Sequence, residues 1–199
     1  ITLQVSDAAG GVVTQSLNVT VTDAEVEVDT FVQLGEAGVL LVSDFVAGGN
    51  VDDLRISFDT QTSEFIFFDP QNEISTDITG GIRVDSNTVR IPTSVASLDT
   101  LVVESGNASD VITVDSSVGA SGLSIIVNGG DDDDRLVVDF SNGMSLSVNI
   151  TFSGMGQSDS GLGDTIELHG TVDSATHDFE NAHDGSIGID IGGAVSLIE

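Results

Sequence analysis

Five short segments of one form, Asp-x-(Ile/Leu)-x-(Val/Ile/Leu), recur along this chain: Asp52 to Ile56, Asp99 to Val103, Asp110 to Val114, Asp134 to Val138 and Asp164 to Leu168. In each, an acid stands at a turn and two apolar side chains two residues apart point to one face of a strand. The two best copies, DVITVDSSVGASGLSIIVNGG and DRLVVDFSNGMSLSVNITFSG, set Asp110 and Asp134 24 residues apart. A unit of that length holds two strands and two turns, too few to bury its own apolar face, so it must stack on its neighbours. The expected fold is all-β, a parallel β-solenoid. Asp110 is then stacked on Asp134, and Leu123 to Val127 on Leu146 to Phe152. Asp164 continues the acidic column if the loop GMGQSDSGLG holds the excess length.

Residues 1–28 read differently. Ile1, Leu3 and Val5 alternate, Asp7 to Gly11 supply a turn, and Leu17, Val19 and Val21 alternate again, which is the pattern of a β-hairpin. The stretch VSDAAGGVVTQSLNVTVTD resembles the closing strands of a cadherin-like or immunoglobulin-like bacterial repeat, which implies the tail of a β-sandwich. Residues 29–98 carry apolar segments at Val39 to Val46, Leu54 to Phe58, Phe65 to Phe68 and Ile82 to Ile91, broken by Gly, Asn, Asp and Pro. They read as strands and early solenoid rungs, although Phe31 to Val46 also suits one short helix. Residues 99–199 form the solenoid proper with acidic turns.

Charge excludes several functions. There are 33 acidic residues against 4 basic ones, a formal charge of −29 with no lysine at all. Nucleic acids and anionic membrane surfaces are bound through Lys and Arg that displace counterions, so neither is an expected partner. Self-repulsion on this scale destabilises a compact chain unless salt screens it or cations neutralise it. Bound calcium or a saline habitat is therefore expected. A hydrophobic share of 39% argues for a folded chain. Cysteine is absent, which rules out disulfides and thiolate metal sites. No apolar run is long enough to span a bilayer, and Ile1 is not a natural start, so an internal fragment is expected.

The segment Gly129-Gly130-Asp131-Asp132-Asp133-Asp134-Arg135-Leu136-Val137 resembles the nonapeptide of repeats-in-toxin (hemolysin-type) calcium-binding proteins, Gly-Gly-x-Gly-x-Asp-x-apolar-x. Gly129, Gly130, Asp134 and Leu136 match; Asp132 stands where that family has glycine. Residues 105–113 are a weaker copy that keeps Gly106, Asp110 and Ile112. The resemblance implies a β-roll-like coil with calcium caged between successive turns. Its implied ligands are Asp110 and Asp134, with Gly130 and Asp132 contributing carbonyls or a side chain, and Asp164 as a further member. The plain alternative is that Asp-rich turns are solvated corners, because Asp, Asn and Gly favour turns for local reasons.

The last part of the chain, with Gly163-Asp164-Thr165-Ile166-Glu167-Leu168-His169-Gly170 and then Thr176 to Ser186, resembles the end of a module repeated in very large bacterial surface proteins, which implies an architectural role. His177 and His183 with Asp178, Glu180 and Asp184 invite a metal reading. On an extended segment, however, the two histidines lie about 20 Å apart, too far to share an ion. A carbohydrate-active β-helix enzyme or sugar-binding accessory domain is the rival class. With so many acids, a carboxylate pair at glycosidase spacing carries no information, and Trp and Tyr, the usual sugar platforms, are absent. The sequence therefore predicts a non-enzymatic, calcium-stabilised structural or adhesive module. It is expected to be secreted or on the cell surface, where it meets surface glycans or other copies of itself. A halophilic scaffold with no specific ion site is the third possibility.

Overall fold

β-branched and apolar residues at every second position set the strands, and the acid, Gly and Asn runs between them set the turns. The computed structural model describes residues 2–6, 12–16, 29–44, 49–157, 161, 163–179, 185–192 and 194–199. Strands β1 (Thr2–Ser6) and β2 (Val12–Ser16) pair antiparallel as a two-stranded sheet of their own. A hairpin is thus present where one was expected, but its second strand is Val12–Ser16; the expected strand at Leu17 to Val21 lies outside the described residues.

Then follow β3 (Thr30–Leu34), β4 (Val39–Asp44), β5 (Asp53–Asp59), β6 (Glu64–Phe68), β7 (Ile74–Thr76), β8 (Ile82–Arg83) and β9 (Thr88–Pro92). The second half contributes β10 (Thr100–Glu104), β11 (Val111–Asp115), β12 (Ser124–Asn128), β13 (Arg135–Asp139), β14 (Ile150–Ser153) and β15 (Thr165–His169). A final meander is made by β16 (Ser174–Phe179), β17 (Gly185–Ile191) and β18 (Ala194–Ile198). They form a nine-stranded sheet in the order β16-β17-β18-β14-β12-β10-β4-β3-β7 and a seven-stranded sheet in the order β15-β13-β11-β5-β6-β9-β8.

Both sheets are mixed; the parallel strands lie inside the larger sheet and at one end of the smaller. Strands β4, β10, β12 and β14 run parallel in the larger sheet, and β5, β11, β13 and β15 in the smaller. Successive strands alternate between the sheets, so β4–β5, β10–β11, β12–β13 and β14–β15 are four stacked two-strand layers. Their inward residues form columns: Leu40, Leu101, Ile125 and Ile150 in one sheet, Leu54, Ile112, Leu136 and Ile166 in the other. All of these except the half-buried Ile166 are nearly inaccessible to solvent and belong to one core. Every buried apolar column of this kind removes side chains from water at roughly 1.5–3 kcal/mol each.

The layers are flanked by antiparallel strands, which departs from the expectation that residues 29–98 are early rungs. Only β4 and β5 join the stack; β3 with β4, β5 with β6, β6 with β9 and β8 with β9 are antiparallel. The cause is connection length. Thr60 to Ser63 joins β5 to β6 as a tight turn, whereas a parallel return needs a crossover. Asp59 Oδ1 accepts the Gln61 and Thr62 amides and fixes that turn. Phe31 to Val46 forms two strands and no helix over its described part, with Ala37 and Gly38 at positive φ in the turn between them.

Leu136 lies in the middle of its column at 0% exposure, between Ile112 and Ile166. Leu136→Ala should lower stability by about 2–5 kcal/mol in a denaturant titration. Ala at the exposed Arg135 beside it should change stability far less.

Candidate functional site

The aspartates that open β5, β11, β13 and β15 turn inward at one corner of the stack. Asp52, Asp110 and Asp134 are only 2%, 1% and 1% exposed. Each is joined to the next by the same contact. The Asp52 N–H donates to Asp110 Oδ1 at 2.8 Å, the Asp110 N–H to Asp134 Oδ1 at 2.9 Å, and the Asp134 N–H to Asp164 Oδ1 at 2.9 Å. The main chain closes the same joints from the other side. The Val111, Arg135 and Thr165 amides donate to the carbonyls of Asp52, Asp110 and Asp134 at 2.9, 2.9 and 2.8 Å. Four layers are thus linked through four aspartates.

Glycines make room for this. A Cβ on Gly129 would collide with Asp134 Oδ2, and one on Gly154 with Asp164 Oδ2. Gly130, at φ +108, packs against the Gly106 carbonyl so closely that no side chain fits. Stacked turns also share backbone bonds: the Asp131 N–H donates to Gly106 O at 3.0 Å and the Gly156 N–H to Gly130 O at 2.7 Å. Asp132 has φ +82, the left-handed region that glycine occupies without penalty.

The electrostatics follow from burial. Desolvation is the largest influence on all three deep carboxyls. It is reinforced for Asp52 by Asp110, Asp69 and Asp44, and Asn72 opposes it; the result is a pKa of about 8. Asp110 reaches about 7, where burial and repulsion from Asp134 outweigh the Asp52 amide bond. Asp134 reaches about 6, raised by burial and by Asp164, Asp132 and Asp133 against the Asp110 amide bond. Asp110 Oδ2 and Asp134 Oδ2 are buried without a hydrogen-bond partner.

Of the five residues expected to hold calcium, the structure brings Asp110, Asp134 and Asp164 into one column. The exposed Asp132 and the backbone of Gly130 lie in the turn beside it. Asp110, Asp134 and Asp164 each give Oδ1 to a backbone amide. The Gly130 carbonyl accepts from Gly156, and Asp164 Oδ2 accepts from Gln157 Nε2 at 3.1 Å. Among the described residues no three His, Cys, Asp or Glu side chains are grouped to hold a metal ion.

Sequence reasoning missed Asp52 as the fourth member. Its signal, Asp-x-Leu-x-Ile, was present, but 58 residues separate it from Asp110 and hide the relation. The same pattern at Asp99 marks the opposite corner: the Asp99 amide donates to Gly38 O at 2.8 Å, before a strand of the other sheet. His177 is exposed on β16, and His183, Glu180 and Asp184 lie outside the described residues.

Two neighbouring substitutions should move stability in opposite directions. Gly129→Ala should cost about 1–3 kcal/mol by pressing on the Asp134 carboxyl. Asp132→Gly should gain up to about 1 kcal/mol by relieving the left-handed backbone. Chemical denaturation of both variants in chelator checks the pair.

No family model, curated protein or solved structure matches the chain.

Proposed function

We propose that this chain is a non-enzymatic structural module: a parallel β-solenoid that works as a stiff spacer or adhesive segment of a secreted or cell-surface protein. The observation that supports this best is the repetition of one joint in four consecutive layers. Apolar columns in both sheets and an aspartate column at the corner are spent on stacking one layer on the next. Such an arrangement grows by adding layers, and its stability is a sum of layer and interface contributions.

The surface fits a role in an ionic, extracellular medium. All four arginines are paired with acids, Arg55 with Asp53, Arg83 with Glu73, Arg90 with Glu64 and Arg135 with Glu167, which leaves the net field strongly negative. A partner that meets this surface is neutral or cationic: a neutral glycan, a basic protein patch, or another copy whose repulsion is screened by divalent ions. No helix among the described residues is long and apolar enough to cross a membrane.

The layer reading has a direct test. Register between β11 and β13, and between β10 and β12, is offset by 24 residues throughout. Deleting residues 111–134 therefore joins Asp110 to Arg135 and should leave β10 stacked between β4 and β14, and β13 between β5 and β15. The shortened chain should stay folded, with a β-type circular dichroism spectrum and a lower melting temperature. An unfolded or aggregated product would contradict a solenoid and point to a globular core that cannot lose a unit.

A further inference from the structure

The two sheets present different outer surfaces. Along each strand the residues between the buried ones point away from the core. On the smaller sheet these positions carry ion pairs: Arg55 with Asp53 on β5, Arg90 of β9 with Glu64 of β6, and Arg135 of β13 with Glu167 of β15. Asp115, Asp139 and His169 extend the charge along β11, β13 and β15. The larger sheet differs. On its adjacent strands β14, β12, β10, β4 and β3, Glu104 is the one ionic residue at an outward position. In a chain with 33 acidic residues, that clearing is a distinct surface.

Its centre is apolar. The pairing register sets Leu41, Val102 and Ile126 side by side across three neighbouring strands, with Gln33 and Thr151 at the two ends of the row. Val39, Thr100 and Ser124 make the next row. Leu41, Val102 and Ile126 are half-buried, as befits outward side chains flanked on both sides by strands about 4.8 Å away. What can meet this face follows from what it lacks. It has no ionic centre to meet a basic protein patch, and its aliphatic row offers none of the Trp or Tyr rings on which sugars stack. A second copy of the chain fits better. Two copies with a charge of −29 each repel wherever acid meets acid, and contact through this face is the approach that avoids it.

We propose that the outer face of the larger sheet is a self-association surface, on which the Leu41–Val102–Ile126 row of one copy packs against the same row of a second. The contact rests on the adhesive reading above and adds the partner to it. Five strands at about 4.8 Å and five residues at about 3.3 Å give a flat area of roughly 400 Å² on each copy. That is about half of the roughly 800 Å² per partner in a stable pair, so the contact is weak and reversible and gains strength where several copies are joined in one array. Salt strengthens it. Screening removes the repulsion between two negative molecules and leaves the apolar contact in place, whereas a contact made of ion pairs weakens.

Sedimentation equilibrium of the whole chain in chelator, up to millimolar concentration, reads this directly. The wild type should form dimers, with an association constant at least about threefold higher in about 1 M sodium chloride than in about 0.05 M. The double variant Val102→Asp, Ile126→Asp should associate at least about tenfold more weakly, because it sets like charges face to face. Thr113→Asp, on β11 between Arg55 and Val137, should associate as the wild type does. A monomeric wild type under all these conditions overturns the proposal, as does association that survives the double variant or weakens with salt. So does association that needs added calcium, which would mean acids bridged by the ion. Retention of a monomeric wild type on immobilised dextran, lost in the double variant, would give the face to a neutral glycan instead. If the double variant does not fold, amide spectra of the wild type decide. Concentration-dependent shifts centred on β4, β10 and β12 support the contact, and their absence there refutes it. A monomeric chain whose layer-deleted form still folds would lose this contact and keep the solenoid.

Discussion

A backbone amide at a corner of a layered β structure has no strand partner, and here it is met by a side chain. Asp110, Asp134 and Asp164 each offer one carboxyl oxygen to the amide of the corresponding aspartate in the layer before, at 2.8 to 2.9 Å. The joint repeats without regard to the length of chain between successive aspartates, which are 58, 24 and 30 residues apart in turn. Because an unsatisfied buried amide is expensive, this contact fixes where each strand starts. Once the starts are fixed, the apolar positions two and four residues on fall into columns, and the core assembles between the two sheets. Glycine at 129 and 154 is a consequence: the carboxyl occupies the place where a side chain would be.

This corner also concentrates the largest electrostatic tension in the molecule. The outer acids are exposed and screened by solvent, and the four ion pairs on the sheet faces are partly exposed contacts of small energetic worth. The column cannot be screened in that way. Its aspartates are stacked one layer apart, desolvated, with one oxygen each at Asp110 and Asp134 facing no partner. The same side chains that set the register therefore make stability sensitive to whatever neutralises them.

Much of this was legible in the sequence because the repeating segments carry their own phase. The spacing of Asp110 and Asp134 predicted that they stack, Asp164 joined them across a longer loop, and β12 lies beside β14 as the pattern of Leu123 to Val127 and Leu146 to Phe152 required. Asp132 falls at positive φ where the resembled nonapeptide has glycine. What was not legible depends on distance along the chain or on a choice between equivalent oxygens. Asp52 is hidden by the β6 to β9 excursion, and Asp99 shares the motif while standing at the opposite corner. Antiparallel pairing of β5 and β6 follows from a turn length that the apolar pattern alone does not rank. Which carboxyl oxygen meets the neighbouring amide is a matter of side-chain direction, which residue identity leaves open.

The account rests on the amides of Asp52, Asp110 and Asp134 being bonded inside the stack, and hydrogen–deuterium exchange resolved to single residues reads those amides directly. They should exchange as slowly as the buried amides of β11 and β13, and far more slowly than amides of the exposed turn at Thr60 to Thr62. Exchange of the three aspartate amides at the rate of that open turn would contradict the account, because it would mean that the layers are held by their apolar columns alone.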